Sequence, residues 1–103
     1  MERERAQSLV PEFATVVKST VNSSIGSAAS IVLNSLTTLL EVQAKNGDVF
    51  MRTDGTATTA TDGFEARVQE GNTRVYTVRP GVTLSIIGSS ASVEATVIEY
   101  ARN

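Results

Sequence analysis

At 103 residues, with 41% hydrophobic and 19% charged side chains, the chain can enclose one modest core, which excludes both a two-domain layout and wholesale disorder. Nine basic against eleven acidic residues give a formal charge of −2, scattered without the basic stripe that neutralises successive phosphates, so nucleic acid is not an expected partner. With neither Cys nor His in the sequence, disulfides, thiolate chemistry, the commonest general base and the commonest transition-metal ligand are excluded together.

Residues 1–12, MERERAQSLVPE, alternate in charge sign and break at Pro11, which cannot donate to a sheet ladder; they read as an N-terminal arm or short helix outside the core. No apolar h-region follows Met1 to Arg5 and no apolar run approaches the roughly 18 residues that cross a bilayer, so neither a signal peptide nor a membrane span is expected. From Phe13 to about Thr38 two readings stand. Leu9, Phe13, Val16, Val17, Val21 and Ile25 fall at helical spacing, whereas Thr15, Val16, Val17, Thr20 and Val21 are β-branched and favour a strand. Val32, Leu36, Leu39 and Leu40 could likewise line a helix, but Asn34-Ser35 and Thr37-Thr38 suit a turn between two short strands better.

Beyond Leu39 the pattern sharpens. Leu40, Val42 and Ala44 alternate with Glu41, Gln43 and Lys45; Asn46-Gly47 is a two-residue hairpin turn by composition, and Asp48 to Thr53 is its returning strand. The stretch DGTATTATDG, residues 54–63, carries little apolar surface and reads as an exposed connection, dispensable for folding. A second hairpin is expected from Phe64, Ala66 and Val68, through Glu70-Gly71-Asn72, to a strand over Thr73 to Val78 that ends at Arg79-Pro80-Gly81. Val82, Leu84 and Ile86 form the next inward set. After Gly88-Ser89-Ser90 a last strand runs to about Tyr100, with Val93, Ala95 and Val97 on one face and Ile98 and Tyr100 on the other. The whole predicts an all-β domain over 13–103, a single antiparallel β-sandwich or jelly-roll-like barrel, with Phe64, Val68, Val82, Leu84, Val93 and Val97 buried together.

The chemistry-bearing residues favour bland roles. Glu41, Glu65 and Glu94 alternate outward as a solvated face, and Asp48, Asp54 and Asp62 sit beside Gly-containing turns without the acidic spacing of an EF-hand loop. No Ser lies in a nucleophile elbow, and no spacing supports a Ser-Lys pair with Lys18 or Lys45. No cofactor, metal site or enzymatic activity is expected. More informative are apolar residues where the alternation predicts water: Phe50 beside Asp48 and Arg52, Tyr76 beside Arg74, and Ile98 with Tyr100 beside Glu94. Leu9, Val10, Phe13, Val16 and Val17 are a further apolar set left over once the core is filled. Together these nine are the candidate protein–protein contacts, and they predict a homo-oligomer or a subunit of a larger assembly. A carbohydrate- or receptor-binding module, using Tyr76, Tyr100 and the Asp-rich turns, is the competing reading.

The order LLEVQAKNGDVFMRTDG, then DGFEARVQEGNTRVYTVRPGVTLSIIGSSASVEATVIEY, resembles small β-sandwich virion proteins of tailed bacteriophages, with capsid decoration or cement proteins the nearest functional group. The resemblance rests on the "DVFMR" strand, the "EGNTRVYTVRPG" segment, "VTLSIIG" and the final "ASVEATVIEY", and it covers about 60% of the chain without an invariant catalytic signature. It implies a non-enzymatic structural protein of the virion, assembled in the host cytoplasm, that binds the major capsid protein or other virion proteins. A head-tail connector or tail-associated protein is the alternative position that it implies.

Overall fold

The computed structural model describes residues 14–102, and their regular structure is entirely β. Eight strands follow one another: β1 (Ala14–Asn22), β2 (Ala29–Val32), β3 (Thr37–Lys45), β4 (Val49–Arg52), β5 (Ala66–Val68), β6 (Thr73–Thr77), β7 (Thr83–Gly88) and β8 (Glu94–Arg102). The ambiguous segment thus resolves as β1 and β2. Its Val and Thr side chains lose χ1 freedom against a preceding helical turn but fit a pleated surface, and that preference outweighs the helical spacing of the apolar positions. Among the described residues no helix is long and apolar enough to cross a membrane.

The strands form two antiparallel four-stranded sheets, in the order β1-β8-β3-β6 and β2-β7-β4-β5. Every connection except β4 to β5 passes from one sheet to the other, which is the double Greek-key path of a jelly roll. Both expected hairpins are corrected by this path. Asn46-Gly47 does turn the chain, with φ of 64° and 143°, but β3 and β4 belong to different sheets, and so do β5 and β6 on either side of Glu70-Gly71-Asn72. Turn chemistry fixes a local reversal of direction; which sheet the next strand joins is decided by packing over longer range.

Between the sheets lies the core. Leu40, Val42 and Ala44 of β3 and Ala95 and Val97 of β8 face Val49 and Met51 of β4 and Leu84 and Ile86 of β7. Val68 and Val93 complete the interior with no exposed surface, and Val82 packs at its margin. Gly88 is required by this packing: a Cβ there would collide with the Cβ of Val93.

On the outer face of the β2-β7-β4-β5 sheet one expectation fails and another holds only in part, since residues 54–56 and 58–62 are exposed as expected. Phe64 is not in the core; its ring meets Phe50 edge to face at 4.9 Å, and Phe50 lies on the outer face because its neighbours Val49 and Met51 point inward. The connection 53–65 is not a free loop either. Ala57 is buried, its N–H donates to Ser85 Oγ at 2.9 Å, and Thr58 N–H to Gly63 O at 2.8 Å closes the loop on itself. Small polar residues carry no hydrophobic signal, so nothing in their pattern marks them as covering a strand.

Candidate functional site

The outer face of the β1-β8-β3-β6 sheet gathers the apolar residues that the alternation left outside the core. Strand register places Val16 opposite Tyr100 and Tyr100 opposite Leu39, and in the next row Ser19, Ile98, Glu41 and Val75 lie side by side across all four strands. Val21 adds to this face beside Thr96, and Val16 and Val21 are 56% and 60% exposed. Leu39, Val75, Ile98 and Tyr100 are each half-buried.

Glu41, at the centre of this face, is 4% exposed, so it is not the solvated carboxylate that the alternation predicts. Tyr100 Oη donates to its Oε1 at 2.7 Å and Gln43 Nε2 donates to its Oε2 at 3.2 Å. Both carboxylate oxygens are thereby satisfied within an otherwise apolar surface. Burial of the phenol, then its hydrogen bond to Glu41 and the charge of that carboxylate, push the Tyr100 pKa up to about 12.

The nine candidate contacts therefore do not form one surface. Val16, Ile98 and Tyr100 share the face just described; Val17 is the extra residue of a β-bulge, where the pairing of β1 with β8 shifts between Val16 and Lys18. Phe50 lies on the opposite sheet, covered by Phe64 and by the Arg67 guanidinium 5.4 Å from its ring centroid. Tyr76, expected outside, packs against the core, because it pairs with inward-facing Leu40. Leu9, Val10 and Phe13 lie outside the described residues.

The same placement separates the parts of the glycan platform, since Tyr76 and Tyr100 occupy opposite faces of their sheet. Two of its aspartates are also committed elsewhere. Asp48 takes hydrogen bonds from the Arg67 side chain and the Glu70 N–H, which hold its carboxyl below the usual range, and Arg52 does the same to Asp54. Among the described residues no group of three or more Asp and Glu is placed to hold a metal ion.

Sequence reasoning missed Glu99. This side chain is fully buried: its Oε1 accepts from the Asn34 N–H and from Thr37 Oγ1, both at 2.7 Å, while Oε2 has no hydrogen-bond partner among the described residues. The signal was there, because Glu99 continues the inward series Val93, Ala95, Val97. It ties β8 to the corner between β2 and β3.

A cavity of about 450 Å³ also opens between the sheets beside Tyr76, with Leu40, Met51 and Leu84 on its floor and Arg52, Glu65 and Arg79 at its mouth.

No protein-family model matches the chain, and no curated protein matches it in sequence. Among solved structures, a de novo designed double-stranded β-helix is 16% identical, covering 82% of this chain and 99% of its own, with a TM-score of 0.51. A crystal structure of a protein from E. coli strain K12 is 9% identical, covering 91% of this chain and 88% of its own, with a TM-score of 0.54. The coat protein of Tobacco streak virus is 13% identical over 90% of this chain and 89% of its own, with a TM-score of 0.40. The first two likenesses, with the strand order above, place the chain in the double-stranded β-helix, or jelly-roll, fold.

Proposed function

We propose that the chain is a non-enzymatic virion structural protein, a capsid decoration or cement protein of the kind found in tailed bacteriophages, which forms a homo-oligomer and binds the major capsid protein. The observation that carries this reading is the outer face of the β1-β8-β3-β6 sheet, where an exposed Val16 and the half-buried Leu39, Val75, Ile98 and Tyr100 are adjacent around the satisfied Glu41. An apolar face of this kind favours association. Its edge does not: β1 carries the bulge at Val17 and the exposed Lys18, two devices that discourage edge-to-edge strand addition. Packing through the face, not through the β1 edge, is the mode of association we infer.

The test is the wild-type chain against Ile98→Asp, which places a charge in the middle of the face. Light scattering should show an oligomer for wild type and a folded monomer for the variant, and only wild type should copurify with assembled capsids. A wild-type chain that stays monomeric and is recovered free of particles would overturn the proposal; recovery with tails alone would move it to the connector or tail position.

A further inference from the structure

The sandwich closes unevenly. Where β6 and β5 end their respective sheets, the cavity beside Tyr76 separates them, and its size is that of a ligand pocket, equal to roughly fifteen waters at bulk density. Its floor is apolar, since Leu40, Met51 and Leu84 belong to the core and Ala66, Val78 and Val82 flank them. Polar groups converge only around the opening.

Those groups are not equally available. Glu65 is engaged, its Oε1 accepting from both the N–H and the hydroxyl of Thr53. Arg52 gives its Nε to Asp54, which keeps its two terminal nitrogens free of that bond. Arg79 and the Tyr76 hydroxyl have no hydrogen-bond or ion-pair partner among the described residues. With Arg52 paired to Asp54, Arg79 is the lining cation that has no carboxylate partner among the described residues. A guanidinium offers a fork of N–H donors that matches a carboxylate, and an apolar floor beneath it matches a hydrocarbon tail.

We propose that this cavity binds a small amphipathic monoanion, an alkyl carboxylate of about eight carbons in all, with the tail over Leu40, Met51 and Leu84 and the head at Arg79. The charge order follows from the lining: the anion binds best, the uncharged alcohol of the same length less well, and the corresponding ammonium least.

The experiment is a titration of the isotopically labelled full chain, followed by amide chemical shifts, with octanoate below its micelle concentration and with octan-1-ol and octylammonium as comparison ligands. Saturable shifts at Ala66, Val78 and Val82, ranked octanoate, octanol, octylammonium, are expected. Arg79→Ala, at an exposed position, should weaken octanoate at least tenfold while leaving the thermal midpoint unchanged, and Ala66→Leu should reduce binding by filling the space. Should the latter variant fail to fold, the Arg79 comparison decides alone. The proposal is overturned if octanoate gives no saturable shifts, if octylammonium binds as tightly, if Arg79→Ala binds octanoate as wild type does, or if the shifts map instead to the outer face around Val16 and Ile98.

Discussion

Glu99 and Tyr100 are consecutive residues that face opposite sides of one sheet and are both held by carboxylate hydrogen bonds. Replacing Glu99 by Ala strands the Asn34 N–H and the Thr37 hydroxyl in a buried site, and is expected to cost about 1–3 kcal/mol in denaturant unfolding. Glu99→Gln keeps an acceptor oxygen for both donors and should stay closer to wild type; equal losses in the two variants would argue against the acceptor role. Tyr100 makes a pH-dependent contribution. Its phenol stays protonated in the folded chain up to about pH 12, whereas in the unfolded chain it ionises near 10.0. The folded state therefore holds the proton that the unfolded state releases, so stability is complete below about pH 10 and is lost as pH rises through 12. Burial moves Tyr76 in the same direction, so Tyr100→Phe should flatten the decline seen in alkaline thermal melts without abolishing it. At this scale the sequence was partly legible. The period of two that exposes Val93, Ala95 and Val97 as core also places Glu99, but a buried carboxylate becomes credible only once Asn34 and Thr37 arrive from more than sixty residues away.

Strands were easier to read than their partners. Alternation, a local signal, identified β3, β7 and β8, whereas β1 stood open between strand and helix because its β-branched density competed with a helical spacing of apolar residues. The cross-sheet paths after Asn46-Gly47 and Glu70-Gly71-Asn72 were not legible, because a corner and a hairpin use the same turn residues. Partnership changes what truncation does. β1 is not a detachable arm: it pairs with β8 from Ala14 opposite Arg102 to Asn22 opposite Ala95. Deleting residues 1–21 removes nearly all of β1 and should abolish cooperative unfolding by circular dichroism. The connection 54–63 behaves similarly in miniature. Replacing it by a short Gly-Ser turn removes Ala57 from over Ser85 and is expected to cost about 1–3 kcal/mol, measurable as a lowered urea midpoint, in place of the neutrality that its composition suggests.

Across the whole molecule, fold class was legible because eight short strands with frequent turns have few ways to bury one core, whereas the face proposed for contacts was legible only in part. Ile98 and Val16 do share a face, yet Phe50 lies on the other sheet, where β4 pairs with β5 and β7, and Tyr76 packs against the core, placements that no local pattern encodes. The interior is small, so single deletions are costly: Leu84→Ala, at a position 2% exposed, should lower stability by about 2–5 kcal/mol in a thermal melt followed by circular dichroism. The position of β8 between β1 and β3 has a consequence for biosynthesis. A ribosome makes β1 first and β8 last, with about seventy residues between them, roughly 4 to 14 s at ordinary elongation rates. Throughout that interval neither β1 nor β3 can find the strand that will separate them, and pairing them with each other would be a trap. The nascent chain therefore cannot complete this sheet until β8 emerges, and ribosome-bound chains stalled before Glu94 should be digested by protease at rates typical of unfolded polypeptide.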